Sequence, residues 1–377
     1  VTGTPSDPVA DGTVRIASGT AAGIPFANAR AHVRYEGGRV SLQDVAVNAF
    51  GGTARGEGVF SPADLTYTAH LAASDIDVQQ AAAYVPELSD LTGRVSCNVG
   101  ISGKGSDTSD LQAYGSAELK NGAYKDLPIE SLTASFFAQG KDITIDYASL
   151  NLPHRSSLGI EGKVKDGSSL DLAFYGGHVD LSLVRTLIPE ADVTGLGDFE
   201  GTVQGDIADP AVNFKFTAMN GSLFKQPYDS LKFNAGGSLD GVTIEEFSLV
   251  KDGKQTWYVD GSVGLTGERR IDMRIDTVGA RMEDIAAVAF PDQPITGNVD
   301  NTIKITGTLD HPNAVGYIHF YRGSYNGILL SGMDGDYFMD DGFTRLQDFH
   351  VFSPMVDMDL NGTVDRNWNL DMVASVH

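Results

Sequence analysis

One arrangement of residues occurs three times along this chain, and it limits what the chain can fold into. A short apolar stretch meets a proline, and six or seven residues later a Thr-Gly pair opens a new alternating run. The stretches lie at 83–95, 186–197 and 289–299. The glycines of the Thr-Gly pairs are spaced by 102 residues and are Gly93, Gly195 and Gly297. A fixed period is typical of repeat proteins, in which each repeat covers its apolar face with its neighbours.

The same period predicts how the 377 residues are divided. A chain of this length holds two or three ordinary domains or one long repetitive one. The spacing favours the repetitive alternative, with two complete repeats between two partial ones. The predicted segments are 1–92 (partial), 93–194, 195–296 and 297–377 (partial).

Within a repeat, apolar and polar residues alternate. In IDMRIDTV, residues 271–278, an apolar side chain is followed each time by a charged one, and VDMDLNGTV, residues 356–364, behaves in the same way. A period of two predicts strands with one apolar and one wetted face. Asn-Gly pairs such as Asn220-Gly221 and Asn361-Gly362 fall between the runs, where they predict hairpin turns. Counted in this way, each repeat has about seven or eight strands.

The stretch before each Thr-Gly pair departs from this alternation. Its apolar residues are spaced by three or four, which predicts one short helix per repeat of about 102 residues. A carboxylate stands near each start, where it complements the first amides of a helix; these residues are Asp77, Asp180 and Glu283. A proline is expected to end each helix; these residues are Pro86, Pro189 and Pro291.

Composition excludes some partners and much chemistry. Lys and Arg number 27 against 50 Asp and Glu, a formal charge of -23, so no nucleic-acid partner is expected. The single cysteine, Cys97, cannot form an intrachain disulfide. No two histidines have metal-ligand spacing, and no Gly-x-Ser-x-Gly elbow or phosphate loop occurs. We therefore expect no enzymatic activity, no catalytic residue, no metal and no cofactor.

A one-sided antiparallel sheet must still cover its apolar face. It can close on a filled core, or it can curl into an open groove that accepts apolar ligands. The groove is favoured because each repeat supplies many apolar strand residues but only one short helix to cover them. The expected groove lining alternates with polar or glycine neighbours and consists of Phe214, Phe216, Phe233, Val259, Val263, Met273, Ile275, Ile303, Ile305, Val356, Met358 and Leu360.

Several longer motifs resemble a known repeat family. The order GDFEGTVQGDIADP (197–210) and NTIKITGTLDHP (301–312), with NGSLFKQPYDSLKF (220–233), is similar to the repeat of the AsmA-like and TamB-like proteins of diderm bacterial envelopes. The resemblance covers nearly the whole chain. It implies a mostly β fold: an elongated, repetitive antiparallel sheet curled into an open β-groove, also called a β-taco.

The resemblance also implies a function and a location. Such proteins cross the periplasm and are implicated in phospholipid transport between the inner and outer membranes. The implied partners are phospholipid acyl chains, the inner membrane through an anchor that this sequence lacks, and an outer-membrane barrel protein with a role in outer-membrane protein assembly. A structural or adhesive β-solenoid with a filled core is the alternative. A glycan-active β-rich enzyme stays open, because two-carboxylate chemistry leaves no local sequence signature. It is the least favoured alternative, because the acidic residues recur along a solvent face and do not form a cluster.

Overall fold

A computed structural model describes residues 1–4, 7–21, 23–189, 191–289, 294–340, 342–365 and 369–377. These residues are mostly in strands, and their 24 strands belong to one antiparallel sheet in which chain neighbours pair from β1 to β12 and from β14 to β24. The prediction of a mostly β, antiparallel fold is confirmed.

The strands are long for a β protein, and most contain ten or more residues. The first twelve are β1 (Thr2–Thr4), β2 (Asp7–Ala21), β3 (Ile24–Glu36), β4 (Arg39–Ala49), β5 (Gly52–Ser61), β6 (Thr66–Asp77), β7 (Leu91–Lys104), β8 (Gln112–Tyr124), β9 (Leu127–Gln139), β10 (Asp142–Asn151), β11 (Ser157–Lys165) and β12 (Ser169–Asp180). The others are β13 (Val193–Asp206), β14 (Ala211–Leu223), β15 (Gln226–Ser238), β16 (Gly241–Lys251), β17 (Lys254–Gly264), β18 (Ile271–Arg281), β19 (Ile295–Gly307), β20 (Pro312–Tyr325), β21 (Ile328–Asp340), β22 (Phe343–Phe352), β23 (Asp357–Asp365) and β24 (Leu370–Val376).

The chain forms two compact units. Unit 1 comprises Val1–Val179 with Val203–Ala208, and unit 2 comprises Asp180–Thr202 with Asp209–His377. The four predicted repeat segments rest on sequence period and stay a prediction.

The predicted turns at Asn220-Gly221 and Asn361-Gly362 are wrong. Both pairs lie inside strands, in β14 and β23, and Asn121-Gly122 lies inside β8. Asn121 has a φ of 48° and lies where the register between β7 and β8 shifts, and it marks a bulge there, because a bulge and a hairpin turn both accept a residue with positive φ. The hairpin turns are at other pairs, such as Asp252-Gly253 and Asn326-Gly327.

This confusion of bulges with turns explains the miscounted strands. Six strands, β7–β12, run from the strand that contains the first Thr-Gly pair up to the strand that contains the second, and six more, β13–β18, precede the strand that contains the third. The expected seven or eight was too high, because an Asn-Gly bulge taken as a turn divides one long strand into two.

Each Thr-Gly pair lies where two neighbouring strands of the sheet come unusually close together, and these places are called strand crossings below. Gly195 has a φ of 121°, and a Cβ on it would lie 2.6 Å from the hydroxyl of Tyr228 and 3.2 Å from the Cα of Gly221 on the next strand. Gly93 and Gly297 also have positive φ. A Cβ on Gly93 would lie 2.8 Å from the Cα of Gly122 on the neighbouring strand, and a Cβ on Gly297 would lie 2.9 Å from the Cα of Gly323. The backbones approach too closely for any side chain, so glycine is required on both strands.

Three short α-helices lie before these crossings: α1 (Val78–Ala82), α2 (Val184–Leu187) and α3 (Met282–Ala289). Asp77 caps α1, accepting a hydrogen bond from the Gln79 amide at 3.0 Å. Asp180 caps the 3-10 turn that precedes α2, accepting from the Ser182 amide at 2.9 Å. Glu283 differs, because its carboxylate accepts from the amide of Gly297 at 3.1 Å and so joins α3 to β19.

The prolines do not end the helices directly. Helix α1 stops at Ala82, and Pro86 begins a separate 3-10 turn. Helix α2 stops at Leu187, two residues before Pro189. Pro291 lies outside the described residues. Among the residues that are described, no helix combines the length and hydropathy needed to cross a membrane.

Candidate functional site

The strand register of unit 2 places the predicted lining residues on one face, the apolar face of unit 2. Residues paired across antiparallel strands point to the same side. One row of paired residues is Phe216, Phe233, Phe247, Val259, Ile275 and Ile303. The next row is Phe214, Ala235, Ile244, Gly261, Met273 and Ile305. Val263 pairs with Ile271 one row further along.

The last strands continue this face. Met358 pairs with Val351, and that row leads through Met333 and Phe320 to Val299 on β19. Leu360 pairs with Phe349. Val356 is different, because it precedes β23 in a turn, where its amide donates to the Ser353 hydroxyl at 3.0 Å. The register therefore brings together every predicted lining residue except Val356.

Burial on the apolar face of unit 2 changes along the strands. All twelve predicted residues are half-buried. Towards the strand crossings the same face is dry: Val299 is 1% exposed and Phe320 is 0% exposed. A second buried cluster contains Leu181, Ala218, Tyr228, Leu231 and Leu249, and Phe216 and Phe233 pack against it. The predicted residues thus form the partly open continuation of a packed core.

At β14 the half-buried part of this face is formed by a cluster of phenylalanine rings. Phe214 stacks on Phe216 with ring centroids 6.2 Å apart, and Phe233 and Phe199 lie 6.2 and 5.9 Å from Phe214. These separations lie in the range in which aromatic pairs attract one another. Phe199 was not among the predicted residues.

Unit 1 also carries exposed aliphatic residues, and sequence reasoning named none of them. They share one face of β2–β11, the apolar face of unit 1, and are Val14, Ile16, Leu42, Leu71, Ile101, Ile143 and Ile160, each between 38% and 48% exposed. One paired row runs from Leu42 through Gly58, Ala69, Ile101, Ala113 and Ala138 to Ile143. An aliphatic face this continuous is characteristic of an interaction surface.

Small neighbours explain why these side chains stay exposed. Leu71 pairs with Gly56 and Val99, and Ile101 pairs with Ala69 and Ala113. Because glycine and alanine have little or no side chain, they cover little of the large side chains beside them, which stay exposed to water. The signal was visible in alternations such as ARGEGVF, residues 54–60, where glycine occupies apolar-face positions.

In each unit, the face of the sheet opposite the apolar face is polar. In unit 2, Arg274 pairs with Asp276 at 2.8 Å, and Lys304 forms an ion pair with Asp272. In unit 1, Arg34 pairs with Glu36 at 2.6 Å. In the described part of the chain, no group of three or more His, Cys, Asp or Glu side chains is arranged to hold a metal ion.

An acid-histidine row crosses the polar face of unit 2. The register pairs, in order across the strands, Asp300, His319, Asp334, His350 and Asp359. Nδ1 of His350 donates to Asp359 at 2.8 Å, and its Nε2 lies 3.2 Å from Asp357. His377 reaches the second oxygen of Asp359 at 2.8 Å.

This row makes the last strands sensitive to pH. The hydrogen bond to Asp359 raises the pKa of His350 above its ordinary 6.5; burial opposes this, and the charges of Asp357, Asp359 and Asp334 add to it. The hydrogen bonds from His350 and His377 lower the pKa of Asp359 below 3.8. A raised histidine pKa contributes stability that is complete below pH 6.5 and is lost as pH rises through the folded pKa. The contribution of Asp359 is lost only at acid pH.

We therefore expect β22–β24 to open more readily above neutral pH than at about pH 6. Amide hydrogen exchange, corrected for its intrinsic pH dependence, measures this as lower protection of these strands at the higher pH. His350→Gln should remove the pH-dependent difference. Equal protection of the natural protein at both pH values would contradict the role of the ion pair.

In comparisons with known proteins, no family model, no curated protein and no solved structure matches the chain.

Proposed function

We propose that the chain is a segment of a periplasmic bridge that carries phospholipid acyl chains between the inner and outer membranes. In this proposal the sheet curls into an open groove, with one short helix in each repeat of about 102 residues, and the apolar faces line the groove. An anchor outside this chain holds the bridge at the inner membrane, and an outer-membrane barrel protein is the partner at the other end.

The observation that carries the proposal is the exposed aliphatic face of unit 1. Leu71, Ile101 and Ile143 are held on paired strands with 46%, 38% and 40% of their surfaces in water. Exposing an acyl chain to water costs a free energy of about 0.8 kcal/mol for each CH₂ group. A continuous aliphatic face removes that cost along its length while the headgroup stays hydrated, and this requires no catalytic residue.

A filled-core structural β-solenoid is the second candidate, and the buried part of unit 2 favours it. Phe320 and Val299 are enclosed like ordinary core residues, with no room for a ligand beside them. The two candidates differ in what they predict for lipid binding, since a filled core takes up none.

Native mass spectrometry of the full chain after gentle purification separates these candidates. Under the proposal, the protein carries co-purified phospholipid, and delipidated protein takes up a fluorescent phospholipid that an excess of unlabelled phospholipid displaces. A protein of clean mass that takes up no fluorescent lipid would leave the structural solenoid as the better explanation.

A further inference from the structure

Unit 1 has a cleft of about 970 Å³ that is lined mainly by residues of its polar face and also reaches Leu71 and Val99 of the apolar face. Its walls come from β3–β10, and the side chains that point into it lie in two neighbouring rows of paired residues. The first row contains Arg30, Ala46, Arg55, Ala72 and Asn98. The second contains Glu57, His70, Gly100, Tyr114 and Phe137.

The first row concentrates positive charge in a strongly acidic protein. Arg15 is paired directly with Arg30, and Ala46 alone separates Arg30 from Arg55 in the row. Like charges on directly opposed residues destabilise a sheet. Although acids outnumber bases by 50 to 27 in the chain, none of these arginines forms an ion pair within the described residues.

Arg55 and Glu57 do not form an ion pair with each other, although residues with the same spacing do so elsewhere in unit 1. They lie two residues apart on one face of β5, within reach of each other. Residues with this same spacing do pair elsewhere in unit 1, as Arg34 does with Glu36 at 2.6 Å and Lys120 with Glu118 at 2.9 Å. Arg55 and Glu57 stay apart, so the cleft keeps an unneutralised cation and an unneutralised anion side by side.

The floor of the cleft suits a polar ligand with a cationic group. Ala46 and Ala72 leave space between the longer side chains. Tyr114 is 52% exposed, and its ring lies against His70 with centroids 5.9 Å apart. Gly100 permits this, because a Cβ there would collide with the tyrosine ring. An exposed aromatic face attracts ammonium groups, and the carboxylate of Glu57 lies further along the same row, beyond His70.

We propose that this cleft binds a zwitterion that joins a phosphate to an ammonium group, as in an ethanolamine phosphodiester. The phosphate lies over Ala46, where Arg30 and Arg55 approach it from strands about 10 Å apart. A phosphate suits two guanidinium groups better than a carboxylate does, because it offers more oxygens to accept their hydrogen bonds. The ammonium group lies one row away beside Glu57, and the exposed ring of Tyr114 lies further along the same row.

Other charges in the cleft set the direction of the ligand. Asp44 lies on the bulge of β4 beside the row of Glu57 and adds to the attraction for an ammonium group. Asp146 lies at the far end, where it accepts a hydrogen bond from Ser135 at 3.3 Å. With these two acids and Glu57 in the walls, a ligand that is only anionic is partly repelled, which is why a zwitterion fits better.

This inference goes beyond the proposed function and does not depend on it, since acyl chains are placed on the other face. The same phosphate-ammonium chemistry occurs in a soluble phosphodiester and in a lipid headgroup. Calorimetric titration of the full chain at low ionic strength, with glycerophosphoethanolamine, glycerol 3-phosphate and ethanolamine, tests the chemistry. Flotation with vesicles with and without phosphatidylethanolamine tests the source.

Glycerophosphoethanolamine should bind more tightly than either single-charge compound. Arg30→Gln with Arg55→Gln should weaken it by about tenfold or more, because two charge-assisted contacts to phosphate are lost. Glu57→Gln should reverse the preference, so that glycerol 3-phosphate binds more tightly than before. If the arginine variant also floats less with phosphatidylethanolamine vesicles, the ligand is a headgroup; if only the soluble compound responds, it is a free phosphodiester.

Arg39→Gln is the matched control, because Arg39 is an exposed arginine of the same unit outside the cleft. It should leave binding unchanged. The arginine variant should also melt no lower than the natural protein, since it removes the repulsion between Arg15 and Arg30. The proposal is overturned if the natural protein binds none of the three compounds, or if Arg39→Gln weakens binding as much as the double substitution does.

Discussion

Leu71→Asp is expected to leave unit 1 folded and to reduce lipid binding by roughly tenfold or more. Leu71 is 46% exposed, so the new carboxylate reaches water, and the free energy of unfolding should fall by no more than about 1 kcal/mol. An acyl chain lying along this face would instead have to desolvate the charge, which costs about 2.5–3.5 kcal/mol in hydrocarbon surroundings.

A photoreactive amino acid placed at Ile101 measures this result. Ile101 lies on the same face one strand away, and mass spectrometry counts its lipid adducts. Thr68→Asp is the control, because it adds the same charge to β6 on the polar face. Lipid adducts that persist at full yield in Leu71→Asp would remove the apolar face of unit 1 from the lipid path, even though the sheet is intact.

Phe320→Ala should have the largest effect on stability. The ring is fully buried, and it occupies the space left by two glycines: a Cβ on Gly297 would lie 2.7 Å from it, and Gly323 faces it from the same strand. Removing a buried phenylalanine ring costs about 3–5 kcal/mol, because the cavity that remains is only partly filled. The glycines have no side chains that could move into it.

The effect should be confined to strands that contact the ring. Hydrogen exchange of β19–β21 in the full chain should accelerate strongly in Phe320→Ala. Phe343→Ala is the matched control, since Phe343 is 61% exposed in the same unit and its loss should change stability by about 0.5 kcal/mol or less. If both variants exchange alike, Phe320 does not hold the crossing together.

The two units give the same sequence pattern different environments. In unit 1, alternating apolar residues are separated across strands by glycine and alanine, so they remain in contact with water. In unit 2, phenylalanine, isoleucine and methionine adjoin one another across strands, so each covers part of its neighbour. The same alternation therefore leaves the aliphatic residues of unit 1 more exposed than the paired apolar residues of β14–β19 in unit 2.

The sequence by itself determined the strand character, the facing of the residues and the positions of the Thr-Gly glycines. Alternation with a period of two fixes which side chains share a face, because successive residues of a strand point in opposite directions. That is why eleven of the twelve predicted residues fall on one face. The Thr-Gly glycines were found for the same reason, since a close backbone approach leaves a mark in the residue type itself.

Only the tertiary structure decided what depends on strand pairing. An Asn-Gly pair satisfies a bulge and a turn equally well, and the choice is made by whether the partner strand continues past it, as it does at Asn121. Exposure depends on the residues opposite, which for Leu71 are Gly56 and Val99 on other strands. Arg30 and Arg55 meet in one cleft because register places them on either side of Ala46, at a distance along the chain over which local sequence carries no information about contact.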